Sequence, residues 1–243
     1  MEDFLDQVYS FLDSQFYLRA VDRTHPDACE VCGGVKGGKQ YRHCYQCFIA
    51  DHALPGRLGF GFYARSDMQD GFGMYGYKSP AAGNGQSIFR SVIGSTIYLA
   101  IKEYQERWGA DLITTVPSLS GRSGEHPLIS ITGNASAKLA GPPVEQVLDP
   151  LPSISHPRTL NRQHFSVEKD LTGCRLLLID DTWVSGGHAL SASESLKAAG
   201  AEVGVFVVAR WLRTDGAYDG TRLYEEAGAK HTSFRNVRFF DSL

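Results

Sequence analysis

Asp180 and Asp181 stand side by side at the end of an apolar run, Leu176 to Ile179, and precede a glycine-centred turn, Ser185-Gly186-Gly187-His188. Adjacent carboxylates accept hydrogen bonds from the vicinal hydroxyls of a sugar. A glycine turn that enters a helix lets backbone N–H groups and the positive end of the helix dipole approach an anion, and Ser185 adds a hydroxyl donor. The run itself has the length and continuous apolarity of a strand buried on both faces, and open α/β sheets bind ligands at the carboxyl ends of such strands. Strand, acids, anion loop and helix, in that order, describe a phosphosugar site.

A second set of residues points to a metal. Cys29 and Cys32 form one Cys-x-x-Cys pair, Cys44 and Cys47 another, and eleven residues lie between the pairs. Four thiolates at this spacing complete the tetrahedral shell of a structural zinc ribbon and leave no position open for water. His43 is then a neighbour and not a ligand. The fifth cysteine, Cys174, opens the strand of the acid pair and reads as a buried thiol.

Two further stretches could serve an anion. Asp111 to Val116 reads as a short strand, and Ser118-Leu119-Ser120-Gly121-Arg122 follows at its carboxyl end. If this strand lies parallel to the first, its loop faces the Gly186 loop and Arg122 supplies positive charge for a second phosphate cluster. The segment 158–165 is unusually basic, with Arg158 and Arg162 in a loop that could close over a ligand.

These residues need a scaffold, and 243 residues suffice for one good-sized α/β domain plus a small module. The spacing of Phe4, Leu5, Val8, Tyr9, Leu12 and Phe16 predicts an amphipathic helix over 3–20, packed on the core or used as a dimer contact. Large and small residues alternate over 57–78 around Asp70-Gly71, the pattern of a β-hairpin. Helices are expected over 87–108, with Ile88 and Val92 on the buried side, over 127–140 from Pro127, and over 189–199. Residues 144–148 read as an edge strand, 202–209 as a buried strand, 222–227 as a short helix and 237–240 as a terminal strand. The chain thus divides into an N-terminal helix (1–24), a zinc ribbon (25–56) and an α/β domain (57–243). A net charge of -3 argues against binding nucleic acid through bulk positive charge. The acidic N-terminus lacks the features of a secretory signal and no apolar run is long enough to span a bilayer, so a cytoplasmic protein with no membrane partner is expected.

The stretch from Leu176 to His188 resembles the phosphoribosyl pyrophosphate (PRPP) motif of type I phosphoribosyltransferases, with Thr182 and Trp183 where small aliphatics are usual, Val184 in place of a hydroxyl residue, and His188 in place of another. The zinc cysteines, Tyr77-Lys78, Val116-Pro117, the 158–165 segment and the acid pair together look like the ComF family of competence-associated phosphoribosyltransferase-like proteins, over about residues 29–212. That resemblance implies a parallel five-stranded sheet with helices on both faces, a flexible hood, and Mg²⁺-PRPP as ligand. Asp180 and Asp181 would take the ribose hydroxyls and Ser185 to His188 the 5′-phosphate, with Thr182 and Val184 also in the PRPP site. Ser118 to Arg122 and Lys78 would face the pyrophosphate, with Arg158 and Arg162 closing over it. The acceptor is unidentified. The rival expectation is a non-catalytic PRPP-binding or degenerate module that couples the ribbon to nucleic acid or a protein partner.

Overall fold

The computed structural model describes residues 2–118, 126–151, 159–231 and 233–242. Helix α1 (Glu2–Asp13) leads into the cysteine segment, which contains the short helix α2 (Tyr45–Ile49), and then strand β1 (Arg57–Ala64). Helices α3 (Gln69–Gly76) and α4 (Gly85–Arg107) follow, then β2 (Leu112–Thr115), α5 (Pro127–Lys138) and the two-residue strands β3 (Asp149–Pro150) and β4 (Phe165–Ser166). The chain continues through β5 (Arg175–Trp183), α6 (Gly187–Ala198), β6 (Glu202–Trp211), α7 (Thr221–Lys230) and β7 (Phe240–Ser242). The main sheet has the order β2-β5-β6-β1-β7.

Four of these strands are parallel, with Leu177 of β5 set between Ile113 of β2 and Gly204 of β6, and Phe60 of β1 opposite Val207. The fifth differs from the expected all-parallel sheet: β7 runs antiparallel along β1, pairing Gly59 with Phe240. A chain that returns from α7 after a short excursion can add an antiparallel edge strand without the long crossover that a parallel one requires.

Alternation along the strands splits the interior in two, because successive side chains point to opposite faces. Leu177, Ile179, Phe206 and Val208 pack with α1, α4 and α5 on one face. Leu176, Leu178, Val205 and Val207 pack on the other with α6 and with Cys29, Cys32, Cys44 and Cys47. The protein is therefore α/β, with helices on both faces, and its cysteine module shares a core with the sheet. No helix among the described residues is long and apolar enough to cross a membrane.

Several sequence expectations are corrected. The hairpin over 57–78 is instead a strand followed by a helix. Asp70 is not in a hairpin turn: it lies in the first turn of α3, and its carboxylate accepts the N–H groups of Arg65 and Gly71 at 2.9 and 2.7 Å. The small residues that mimic strand alternation are there for close approach, since a Cβ on Gly71 would lie 1.7 Å from the Arg65 carbonyl oxygen and one on Gly76 would lie 2.7 Å from the Phe89 ring. Phe89, and not Ile88, takes the inward position on α4, leaving Ile88 exposed. Helix α1 stops at Asp13, where the side chains of Ser14 and Gln15 donate to the Phe11 carbonyl that a longer helix would have used. Phe16 is left 93% exposed, while Val8 and Leu12 are buried and Phe4 meets Tyr98 of α4 edge-on at 5.2 Å. The apolar stripe of α1 is thus used within the chain. The expected strand at 144–148 reduces to one bridge, Val144 to Ile113, with the Gln146 amide bonding Thr115 beyond it.

Strand β7 is short, yet Phe240 is fully buried against Tyr104, Trp108 and Phe206, and Glu103 of α4 accepts the N–H groups of Phe239 and Phe240. Phe240→Ala should therefore cost about 3–5 kcal/mol of unfolding free energy, from lost burial plus the cavity left behind. Denaturant unfolding is the measurement, and a loss under about 1 kcal/mol would mean that β7 is peripheral to the core.

Candidate functional site

Both halves of the proposed chemistry lie on β5 and the elements beside it. The strand runs further than its apolar core, to Trp183, with Asp180 opposite Val207, Thr182 opposite Ala209 and Trp183 opposite Arg210 of β6. The acid pair is therefore held inside the sheet's carboxyl edge, with Asp181 on the face of Ile179 and Asp180 on the face of Leu178. Their surroundings differ accordingly. Asp181, with 13% of its side chain exposed, pairs with the Lys78 ammonium and accepts from the Tyr77 hydroxyl at 2.6 Å, both delivered by the end of α3. Burial opposes ionisation of Asp181, but Lys78, Tyr77 and the nearby His126 outweigh it and hold its carboxyl below the usual range. Asp180 is buried, and its Oδ1 accepts the Asp181 N–H at 2.8 Å. Burial first, and then the charge of Asp181, push it up to about 8.

Beyond Trp183 the chain turns through Val184, Ser185 and Gly186 into α6. Gly186 is left-handed, at φ 86°, and a Cβ there would stand 2.3 Å from the Trp183 indole. Trp183 is itself buried, edge-on to Phe60 at 5.4 Å. The unusual tryptophan is thus a floor under the loop, and it is one reason for the glycine above it. Ser185 and His188 are half-buried, Gly187 is buried, and the Leu190 N–H donates to the Gly186 carbonyl at 2.9 Å to close the first turn of α6.

Ser118 follows β2, whose end is fastened to β5 by a bond from the Val116 N–H to the Ile179 carbonyl at 3.0 Å, so the two strands do run parallel as expected. Leu119, Ser120, Gly121 and Arg122 lie outside the described residues, as does Arg158. Arg162 sits in a short 3-10 turn on α6, where its guanidinium pairs with Glu194 at 2.5 Å and its carbonyl accepts from Ser195. A cleft of about 1020 Å³ separates this turn from the cysteine module, and Arg162 shares its lining with Ser185, Gly187, Gln46 and His52.

The four cysteines come together as predicted. All are buried, and their Sγ atoms lie within 4.8 Å of one another, with no histidine in the group. The knuckle is tight: the Gly33 N–H donates to the Cys29 carbonyl at 2.8 Å and the Cys29 N–H to the Gly34 carbonyl at 2.7 Å. Mutual hydrogen bonding lowers the Cys32 thiol, with Arg210 nearby adding to the effect, and raises those of Cys44 and Cys47, because four neighbouring thiols cannot all ionise without a cation. Buried soft donors in this number fit a structural zinc. The fifth cysteine, Cys174, is half-buried, and burial raises its thiol.

Sequence reasoning missed three participants. Tyr77 was visible only as a neighbour of Lys78, and nothing local ties its hydroxyl to an acid more than a hundred positions away. His126 precedes Pro127 at the start of α5, where its ring accepts the Leu128 N–H; a polar residue before a helix-initiating proline was the available signal. Arg210 follows the apolar run 203–209 of β6, and a buried guanidinium there required partners.

The fold and site define an α/β protein whose sheet, parallel but for β7, carries an acid pair at its carboxyl edge, Asp180 buried and Asp181 half-buried, and a four-thiol centre on one face. No protein-family model matches the chain, and no curated protein does. Among solved structures it is similar to Leishmania donovani UMP synthase, with 22% sequence identity and a TM-score of 0.29, covering 50% of this chain and 24% of that one. The chain spans about a quarter of that protein's length.

Two outcomes follow from this geometry. Purified protein should carry one zinc per chain, and Cys44→Ser should release it and lower stability, since structural zinc contributes folding free energy. Metal analysis decides; full occupancy in the variant would remove Cys44 from the centre. Asp180 has its folded pKa raised above the unfolded value, so its contribution is present below the ordinary carboxylate range and is lost as pH rises toward about 8. Asp180→Asn should therefore unfold at nearly the wild-type temperature near about pH 4 and at a higher one than wild type near about pH 9. Equal melting temperatures at both values would refute the strained burial of Asp180.

Proposed function

We propose that the protein binds PRPP across the carboxyl edge of its sheet and transfers the phosphoribosyl group to a nucleophilic acceptor, releasing pyrophosphate. On this reading it is a cytoplasmic, ComF-like phosphoribosyltransferase built as an N-terminal helix (1–24), a zinc ribbon (25–56) and a phosphoribosyltransferase-like domain (57–243). The observation that carries the reading is the continuity of β5: an acid pair at its end, then within a few residues a glycine loop on the N-terminus of α6. Asp180 and Asp181 accept from the ribose 2′ and 3′ hydroxyls, and the peptide N–H groups and side chains of Val184 to His188 take the 5′-phosphate, with Thr182 behind them.

The charge balance fits such a ligand. Lys78 pairs with Asp181, while burial first and then the charge of Asp181 raise the pKa of Asp180. Sugar hydroxyls or the hard Mg²⁺ that accompanies PRPP suit these oxygens. When the hydroxyls engage Asp181, Lys78 is released to face pyrophosphate together with Ser118, Leu119, Ser120, Gly121 and Arg122. In the reaction the bond from the anomeric carbon to pyrophosphate breaks, a bond to the acceptor forms, and the acceptor's proton passes to the departing pyrophosphate. Cationic side chains stabilise the departing pyrophosphate, with Arg158 and Arg162 closing over it. Tyr77 acts through Asp181, whose carboxylate it orients.

One observation favours the second reading, a PRPP-binding module without turnover that acts on nucleic acid or a protein partner. Arg162 is already paired with Glu194 on α6 and must leave that partner before it can close over a ligand.

Calorimetry with PRPP and Mg²⁺, followed by pyrophosphate release against a panel of bases and amines, tests both. Wild type should bind PRPP, and the Asp180→Asn, Asp181→Asn double variant should bind it at least about tenfold more weakly, the scale of losing charge-assisted hydrogen bonds. Release with some acceptor selects the enzyme, and binding without release selects the module. A wild-type protein that does not bind PRPP ends both readings.

A further inference from the structure

Arg210 is 7% exposed, at the end of β6, and it takes no part in the site through its own contact with the acids or the loop glycines. It lies beneath them. Its Nε donates to the Cys32 carbonyl at 3.0 Å, inside the first cysteine knuckle. Its Nη1 donates to the Trp183 carbonyl at 3.1 Å, to the Val184 carbonyl at 3.3 Å and to the Trp211 carbonyl. The remaining nitrogen rests on Gly34, where a Cβ would stand 1.7 Å from Nη2. One planar fork thus joins the metal knuckle to the residues that open the phosphate loop. A lysine, with a single ammonium on a flexible stem, has no such geometry.

The direction of these bonds matters. In a planar trans peptide the N–H points opposite to the C=O. The Trp183 carbonyl shares its peptide with the Val184 N–H, and the Val184 carbonyl with the Ser185 N–H. Turning both carbonyls down onto a guanidinium therefore turns both N–H groups away from it. These are two of the donors that an anion on this loop would meet.

We propose that Arg210 is a positioning residue that fixes the peptide planes at 183–185 against the four-cysteine knuckle, so that metal loading of the knuckle presets the loop for a phosphate. The idea rests on the phosphate-loop reading for its purpose, but its geometry can be tested without any ligand. Hydrogen exchange resolves the loop peptide (183–187) from β2 (112–115), the edge strand that pairs with β5 and not with the β6 of Arg210.

In zinc-loaded Arg210→Lys, the loop amides should exchange at least about tenfold faster than in wild type, with β2 protection and zinc content unchanged. Stripping zinc from wild type with a chelator should speed the loop in the same way. Gly34→Ala provides an independent arm, because it displaces the guanidinium without removing it and should produce the same loop signature if Arg210→Lys fails to fold. Calorimetry with ribose 5-phosphate should show about a tenfold loss of affinity in the same variants. Loop exchange within about twofold of wild type in the zinc-loaded variants would overturn the proposal, and so would a loss of β2 protection equal to that of the loop, which would make Arg210 a general core residue. A wild-type protein that ignores ribose 5-phosphate while the exchange results hold would instead count against the phosphoribosyl reading alone.

Discussion

The site depends on keeping two carboxylates at the end of one buried strand. Water would solvate both; the interior offers Asp181 an ammonium and a phenol, and Asp180 chiefly a backbone N–H. Pairing one acid and leaving the other short of a cation separates their proton affinities, as expected when like charges share a low-dielectric site. Much of the architecture serves that arrangement. Strand β5 must be central so that the acids are held in the edge, α3 must pack closely enough to deliver Tyr77 and Lys78, and its glycines permit that approach.

The cysteine module answers a related constraint on the opposite face. Its thiols belong to the same apolar cluster as Leu176, Leu178 and Trp183, so it is a wall of the domain core. The buried guanidinium between module and sheet must satisfy its donors, and it does so on carbonyls from both sides. A buried cation of this kind is costly unless fully bonded, and the bonding imposes a definite relation between the parts it touches.

What the sequence disclosed, and what it hid, divide along the range of the interactions. The apolar run of β5, the acid pair, the Gly186 turn and the cysteine pairs are local patterns, each explained by contacts within the segment or by a single ligand sphere. Segment 69–76 misled because its small residues answer to Arg65 and Phe89, not to a strand's two faces. The reversal of β7 and the role of Trp183 as a floor depend on pairings between distant segments, which composition and periodicity do not encode. Tyr77, His126 and Arg210 were missed for the same reason: each is an ordinary residue until the fold brings its partner to it.

The placement of β1 also bears on how the chain is made. It is buried from Leu58 to Ala64, and its neighbouring strands are Glu202–Trp211 and Phe240–Ser242, while β2, the next strand to be synthesised, joins the opposite edge of the sheet. On the ribosome the edge of β1 that pairs with β6 therefore waits through most of the remaining translation, while the upstream residues 19–21 are already present to bond Gly61 to Tyr63 on its other edge. The cysteine segment just upstream waits as well, because its thiols pack against Leu176, Leu178 and Trp183 and the Cys32 carbonyl accepts from Arg210. Strand and cysteine segment alike are therefore completed only when residues 175–211 have emerged.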